Sequence, residues 1–129
     1  CVLVRGLPGN EVPLVSVKNK KIIINNHLPS AGLNELIEKS AMVISRSGYT
    51  TIMDLVKLGK KAILVPTPGQ AEQEYLATYL MEQNMFFTME QENFNLKTAM
   101  QLAENFQYDI PAIDMNLYKQ VIRQFAMSL

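Results

Sequence analysis

Two apolar runs, Met42 to Ser45 and Ala62 to Val65, bracket the residues Arg46-Ser-Gly-Tyr-Thr-Thr51 and, a little further on, Asp54. Hydroxyls and a glycine at the point where a buried strand turns into a helix are suited to holding phosphate. A helix start leaves its first backbone N–H groups unpaired and carries partial positive charge, so an anion placed there satisfies donors and dipole together. Gly48 has no side chain to block its approach. If the helix runs from about Tyr49 to Leu58, Ile52, Leu55 and Val56 share one face, and Thr50, Thr51 and Asp54 point the other way. Asp54 then lies about 9 Å along the axis from the helix start, at 1.5 Å per residue. A diphosphate on Ser47, Gly48, Tyr49 and Thr50, with a ribose diol hydrogen-bonded to Asp54, fits that spacing. The same residues also suit a plainer role, in which Ser47 and Thr50 cap the helix and Asp54 is solvated. Arg46 could reach a phosphate or pair with a carboxylate at the strand end, and the sequence does not choose.

A second loop, Pro66-Thr-Pro-Gly-Gln70, breaks the chain before a long helical pattern. There Gln73 shares the i, i+3, i+4, i+7 stripe with Leu76, Ala77 and Leu80, so a polar amide faces inward at the helix end nearest the proposed pocket. A buried amide costs stability without partners. Sugar hydroxyls could supply them, with Glu74 as a second acceptor, and so could neighbouring backbone. His27, in Asn25-Asn-His-Leu-Pro-Ser30, is the only ordinary candidate for proton transfer near neutral pH, although a lone loop histidine is commonly structural or solvated. Gly6-Leu-Pro-Gly9 lacks the spacing of dinucleotide and P-loop glycines. No GxSxG elbow and no Cys-His pair is present, so hydrolase chemistry has no visible support.

The elements that must position these residues are short apolar runs at Val2 to Val4, Ile22 to Ile24, Met42 to Ser45 and Ala62 to Val65, with a weaker one at Met85 to Thr88. They are continuous rather than alternating, which suits parallel strands covered on both faces. Helical patterns span Gly32 to Lys39, Tyr49 to Leu58 and Gln70 to Gln83. Two more follow in the tail, about Asn95 to Asn105 and Asp114 to Met127, divided by Asp109-Ile-Pro111. This alternation predicts an α/β fold with a doubly wound, Rossmann-like parallel sheet flanked by helices, whose ligands sit beyond the carboxyl ends of the strands. The loops gathered there are Gly6 to Asn10, Asn25 to Ala31, Arg46 to Tyr49 and Pro66 to Gln70. The tail pattern with Leu117, Val121 and Phe125 suits either internal packing or docking to another chain.

With 129 residues and 48% hydrophobic content, the composition predicts one core and a single domain over 1–129. Twelve basic and twelve acidic residues cancel, without runs of like charge. The broad positive field of a nucleic-acid or anionic-membrane binder is therefore missing, and anion recognition must be local. One cysteine and one histidine argue against a disulfide scaffold and against a structural metal cluster, and favour a reducing compartment. No apolar run approaches the roughly 20 residues of a membrane helix. An opening inside a strand, at Cys1-Val-Leu-Val4, suggests a piece of a longer polypeptide.

Taken together, His27-Leu-Pro, Ser45-Arg-Ser-Gly-Tyr-Thr-Thr-Ile-Met-Asp54, Leu58-Gly-Lys-Lys-Ala-Ile-Leu-Val-Pro66 and Gln73-Glu-Tyr75 resemble the carboxyl-terminal half of GT-B glycosyltransferases. The branch is that of the N-acetylglucosaminyltransferase of peptidoglycan lipid-intermediate synthesis, and the likeness covers roughly residues 1 to 105. It implies a domain that binds a UDP-sugar and lacks its first strand-helix unit, from a two-domain hexosyltransferase whose catalytic base lies in the absent amino-terminal half. The fragment alone would then be inactive. By this resemblance the diphosphate meets Ser47, Gly48, Tyr49 and Thr50, and the ribose meets Asp54. The base packs near His27 and Leu28, and the donor sugar meets Gln73 and Glu74. No metal or other cofactor is required, helix dipole and loop donors stabilising the leaving diphosphate. The acceptor is left open, lipid-linked or saccharide, and the location implied is cytoplasmic or at the inner face of a membrane through the absent half. Asp54 stands in place of the usual glutamate, Glu74 in place of a second glutamine and Tyr49 in place of a common alanine, which leaves the sugar open. A nucleotide-sugar 2-epimerase has a similar Ser-Gly loop, and a nonenzymatic subunit of a split glycosyltransferase would share the fold.

Overall fold

The computed structural model describes residues 1–7, 13, 18–114 and 116–128, without the side chains at positions 118, 121, 125 and 128. Pro8, Gly9 and Asn10 of the first glycine-bearing loop, and the side chains of Val121 and Phe125, lie outside the described residues. The chain groups into two compact units, Cys1–Lys39 and Ser40–Leu129. The parallel, helix-flanked α/β class is the one observed. Its ladders fall into two sheets, one in each unit, rather than one continuous sheet.

In the first unit β1 (Val2–Val4) pairs in parallel with β2 (Ile23–Asn25), Val2 opposite Ile23 and Val4 opposite Asn25. Main-chain bonds continue the pairing, from Arg5 N–H to the Asn25 carbonyl at 2.9 Å and from Leu7 N–H to that of Asn26 at 2.8 Å. The turn out of β1 uses Gly6 at φ +69°, a conformation that side chains disfavour. Helix α1 (Ser30–Lys39) follows and buries Ile37. These strands are not covered on both faces as their composition suggests, since Leu3 is 50% and Ile23 57% exposed.

The second unit has the covered sheet. Strands β3 (Val43–Ser45), β4 (Ala62–Leu64) and β5 (Phe87–Thr88) run parallel in the order β3-β4-β5. Helices α2 (Tyr49–Lys57) and α3 (Ala71–Glu82) form the two crossovers. Central β4 is fully buried, which explains why its sequence is apolar throughout. Helix α2 buries Ile52, Leu55 and Val56, the predicted face, and α3 buries Ala77 and Leu80. Ile63 and Val65 pack with Phe87 against Ala99 and Ala103 of α4 (Leu96–Asn105), whose small side chains let that helix approach the sheet closely.

Chain reversals are built by local chemistry. After α2 the amide of Gly59, at φ +59°, bonds the Val56 carbonyl at 3.1 Å, and that of Lys60 bonds Leu55 at 2.9 Å, the paired closure of a Schellman motif. Asn84 at φ +56° ends α3, with Met85 N–H on the Leu80 carbonyl at 2.9 Å. Asn95 caps α4 by accepting from Thr98 N–H. Helix α5 (Leu117–Ser128) closes the chain, with Leu117 and Ile122 exposed. No helix among the described residues is long and apolar enough to cross a membrane.

The segment after α4 returns to the sheet through aromatic contacts. Phe87, Phe106 and Tyr108 meet edge to face, at centroid distances of 5.8 and 4.9 Å. The Tyr108 hydroxyl donates to the Ala62 carbonyl at 3.2 Å, and its burial pushes its pKa up to about 12 from 10.0. The folded protein thus keeps a proton that the unfolded chain releases, so this contribution is whole below pH 10 and is lost as pH rises from 10 to about 12. Chemical unfolding between pH 9 and about 12 should show stability falling less steeply in Tyr108→Phe than in the parent.

Candidate functional site

Register brings the first and second loops together. Ser45 stands opposite Leu64, and the Val65 amide bonds the Ser45 carbonyl at 2.8 Å, so the carboxyl ends of β3 and β4 emerge side by side. Residues 46–48 leave one strand and residues 66–70 leave the other.

At the first loop, Gly48 is the residue before α2, with φ −73° and ψ 143°, and no side chain caps the helix. Neither Ser47 nor Thr50 therefore plays the capping role. The first helical bond is Ile52 N–H to the Gly48 carbonyl at 3.0 Å. The amides of Tyr49, Thr50 and Thr51 precede it and find no acceptor among the described residues. No acidic residue occupies the first turn. A side chain at 48 would meet nothing within 4 Å, and the backbone there suits any residue, so neither packing nor conformation of the protein itself demands glycine. Tyr49 is 62% exposed beside this opening. Asp54 is half-buried on the same helix, its carboxylate without hydrogen bond or ion pair among the described residues.

Ser47 behaves differently from its neighbours. Its side chain is 0% exposed, and its hydroxyl donates to the Gln73 carbonyl at 2.8 Å. Arg46 makes no ion pair among the described residues and instead grips main chain, with Nη1 donating to the Val65 and Pro66 carbonyls at 3.1 and 3.2 Å. Its Nη2 reaches Oε1 of Gln91 at 2.7 Å, a partner in the short 3-10 turn Gln91–Asn93 that no local pattern in the sequence signals.

The second loop is a β-turn over Thr67–Gln70 with Pro68 and Gly69 at its centre. Gln70 N–H bonds the Thr67 carbonyl at 3.1 Å and Gly69 adopts φ +79°, the geometry of a type II turn. Gln73 is half-buried on the predicted stripe, and its amide is already employed. Its Oε1 accepts from Thr67 N–H at 3.0 Å and its Nε2 donates to Oε1 of Gln70 at 2.6 Å. Glu74 accepts from Gly69 N–H at 2.9 Å through Oε1. Thus α3 supplies its own negative charge, in Glu72 and Glu74, to its first turn, whereas α2 supplies none.

A cavity of about 890 Å³ lies beside α3 and β5, and Glu74, Glu82, Glu90 and Glu92 line it together with Pro66 and Met81. Four carboxylates give it the wrong sign for a diphosphate, and Ser47, Gly48, Thr50 and Asp54 take no part in it. Among the described residues no group of three or more His, Cys, Asp or Glu side chains is placed to hold a metal ion. His27 and Leu28 belong to the first unit, in the loop between β2 and α1, where His27 is exposed and Leu28 half-buried.

Comparison with known proteins gives these loops a context. The model of the glycosyltransferase family 28 C-terminal domain matches residues 10–113. Over 90 residues the chain is 30% identical to the "UDP-N-acetylglucosamine--N-acetylmuramyl-(pentapeptide) pyrophosphoryl-undecaprenol N-acetylglucosamine transferase" of Buchnera aphidicola subsp. Schizaphis graminum, a span of 60% of this chain and 25% of that protein. It is 47% identical over 38 residues to the protein of the same name from Methylobacterium radiotolerans, covering 30% of this chain and 10% of the relative. The match thus spans a quarter or less of either relative's length. The solved structure of spinosyn forosaminyltransferase SpnP shares the fold, with a TM-score of 0.59 and 17% identity over 82% of this chain and 25% of that one.

The bracing of the second loop has a consequence that needs no ligand. Gln73→Leu removes the acceptor of the half-buried Thr67 amide and should lower unfolding free energy by about 1–3 kcal/mol in denaturant titration.

Proposed function

From the premise that this chain belongs to the glycosyltransferase family 28 C-terminal domains, we propose that it is the donor-binding part of a UDP-sugar-dependent hexosyltransferase. In this reading residues 1–129 are one nucleotide-sugar-binding domain of a larger two-domain enzyme, and the catalytic base lies in the other domain. The observation that carries it is the start of α2, with unpaired amides, no cap, no acidic neighbour and open space over Gly48.

The amides of Gly48, Tyr49 and Thr50 receive the diphosphate, and the helix dipole favours its charge. Because they are fixed before the ligand arrives, they stabilise the diphosphate as it leaves the sugar without reorganising. Asp54, unpaired on the same helix, accepts from the ribose hydroxyls. Gln73 and Glu74 meet the sugar with the capacity their own loop leaves over, one amide hydrogen of Gln73 and the second carboxylate oxygen of Glu74. Placement of the base near His27 and Leu28 rests on the family likeness alone. N-acetylglucosamine is the sugar to try first, because the Buchnera and Methylobacterium relatives carry it in their names.

Titration of the full-length protein with UDP tests this. Gly48→Val should weaken binding about tenfold or more, from steric exclusion, while the melting temperature stays within about 1–2 °C of the parent, since a Cβ at this position meets nothing within 4 Å and the backbone there suits any residue. Asp54→Ala should also cost UDP about tenfold, the worth of a charged hydrogen bond, but leave inorganic pyrophosphate affinity unchanged. Unchanged UDP affinity in both variants removes the assignment.

A further inference from the structure

Ser47 is the one polar residue buried as a whole among the described residues, and its hydroxyl is committed, unlike the buried and unpartnered hydroxyl of Ser45. A serine hydroxyl has one hydrogen to give. That hydrogen goes to the Gln73 carbonyl at 2.8 Å, and an ionised diphosphate, whose oxygens only accept, cannot use what remains. To donate to an anion, the side chain would have to break this bond and leave a packed site in which it is 0% exposed. This strut ties the loop before α2 to the first turn of α3 through a part-buried hydrogen bond of ordinary length.

We infer that Ser47 is a positioning residue that couples the amides at the start of α2 to the first turn of α3, so that a diphosphate held at the one orders the residues that meet the sugar at the other. The inference rests on the proposed function for its ligand. Its route is short and continuous. The Ser47 main chain leads directly into Gly48 and the free amides, and its side chain holds the Gln73 main chain. Gln73 in turn holds the Thr67 amide through Oε1 and Gln70 through Nε2, while Glu74 holds Gly69. A displacement of residue 47 is therefore felt from 67 to 74 without passing through the sheet. Arg46 adds a second connection, to the Val65 and Pro66 carbonyls, which reaches the start of the 66–70 loop but not the first turn of α3. Such a strut separates two functions that a simple binding serine would merge, holding phosphate and readying the sugar loop.

Amide hydrogen exchange on the full-length protein, with UDP rather than a UDP-sugar, reads the coupling, because UDP has no sugar to touch residues 67–74 directly. In the parent, saturating UDP should slow exchange at 48–51 and at 67–74. In Ser47→Ala the slowing at 48–51 should persist, with UDP affinity within about threefold of the parent, and the slowing at 67–74 should vanish. Ser47→Cys, which keeps a weak donor of similar shape, should restore part of it and also serves if the alanine variant folds poorly. Loss of about tenfold or more in UDP affinity in Ser47→Ala would make the hydroxyl a ligand and overturn the inference. So would slowing at 67–74 that survives the substitution, or a parent that binds UDP without slowing there. Should the parent not bind UDP at all, the proposed function falls separately, and the unliganded proteins decide the strut. Faster exchange at 67–74 in Ser47→Ala keeps it, and equal rates remove it.

Discussion

A helix cannot pair its first backbone amides with itself, and in the second unit of this chain that constraint meets two different answers. At α3 the protein adds no side-chain cap, but Glu72 and Glu74 bring carboxylates into that turn, and Glu74 reaches back to the Gly69 amide just outside the helix. At α2 it gives no answer, since Gly48 has no side chain, Ser47 turns away and the first turn carries no carboxylate. Both helix starts stand beside each other because β3 and β4 are parallel and in register, Ser45 opposite Leu64. The burial of β4, the Schellman closure at Gly59 and the close packing of Ala99 and Ala103 all serve to hold that register.

Electrostatics then limits where an anion can go. With equal numbers of acidic and basic residues the chain has no overall field to gather anions, so only local donors can attract one. The cavity along α3 is lined by carboxylates that repel phosphate. The α2 start is open over Gly48, and its polarity comes from backbone rather than from a charged side chain. Recognition by backbone is rigid, and it survives changes of side chain identity at Tyr49 and Thr50 that would abolish recognition by hydroxyls alone.

Much of this could be read from sequence because burial and turn chemistry are local signals. The runs at Met42 to Ser45 and Ala62 to Val65 became β3 and β4 within a residue, and the apolar face Ile52, Leu55, Val56 and the stripe Gln73, Leu76, Ala77, Leu80 face inward as their spacing requires. Pro68-Gly69 marked its turn because only glycine tolerates φ +79° without strain. What the sequence could not show were pairings between distant residues. Arg46 offered a carboxylate by type but bonds the Val65 and Pro66 carbonyls and Gln91, which become its neighbours only after β3, β4 and the 3-10 turn are assembled. Ser47 read as a cap or a ligand by position, and its burial depends on α3 lying over it. Division of the strands into two sheets is equally invisible, because apolar composition does not say which strand pairs with which.

The departures from the family pattern gain a physical reading from these contacts. Where the likeness expects a second glutamine, Glu74 has a structural task, as a carboxylate near a helix start binds the Gly69 amide and opposes the dipole more strongly than an amide oxygen does. One oxygen is thereby taken, and what is left for a sugar is an acceptor alone, with none of the donor capacity of glutamine. Gln73 retains one amide hydrogen after bonding Gln70, so the pair together offers one donor and one acceptor in place of the richer set of two amides. A sugar meeting this pair must present a hydroxyl that donates to Glu74 and a group that accepts from Gln73, and an anionic substituent on the Glu74 side would be repelled. In the proposed reading, selectivity is in this way set by how much hydrogen-bonding capacity the turn at Thr67 to Gln70 consumes in holding itself together.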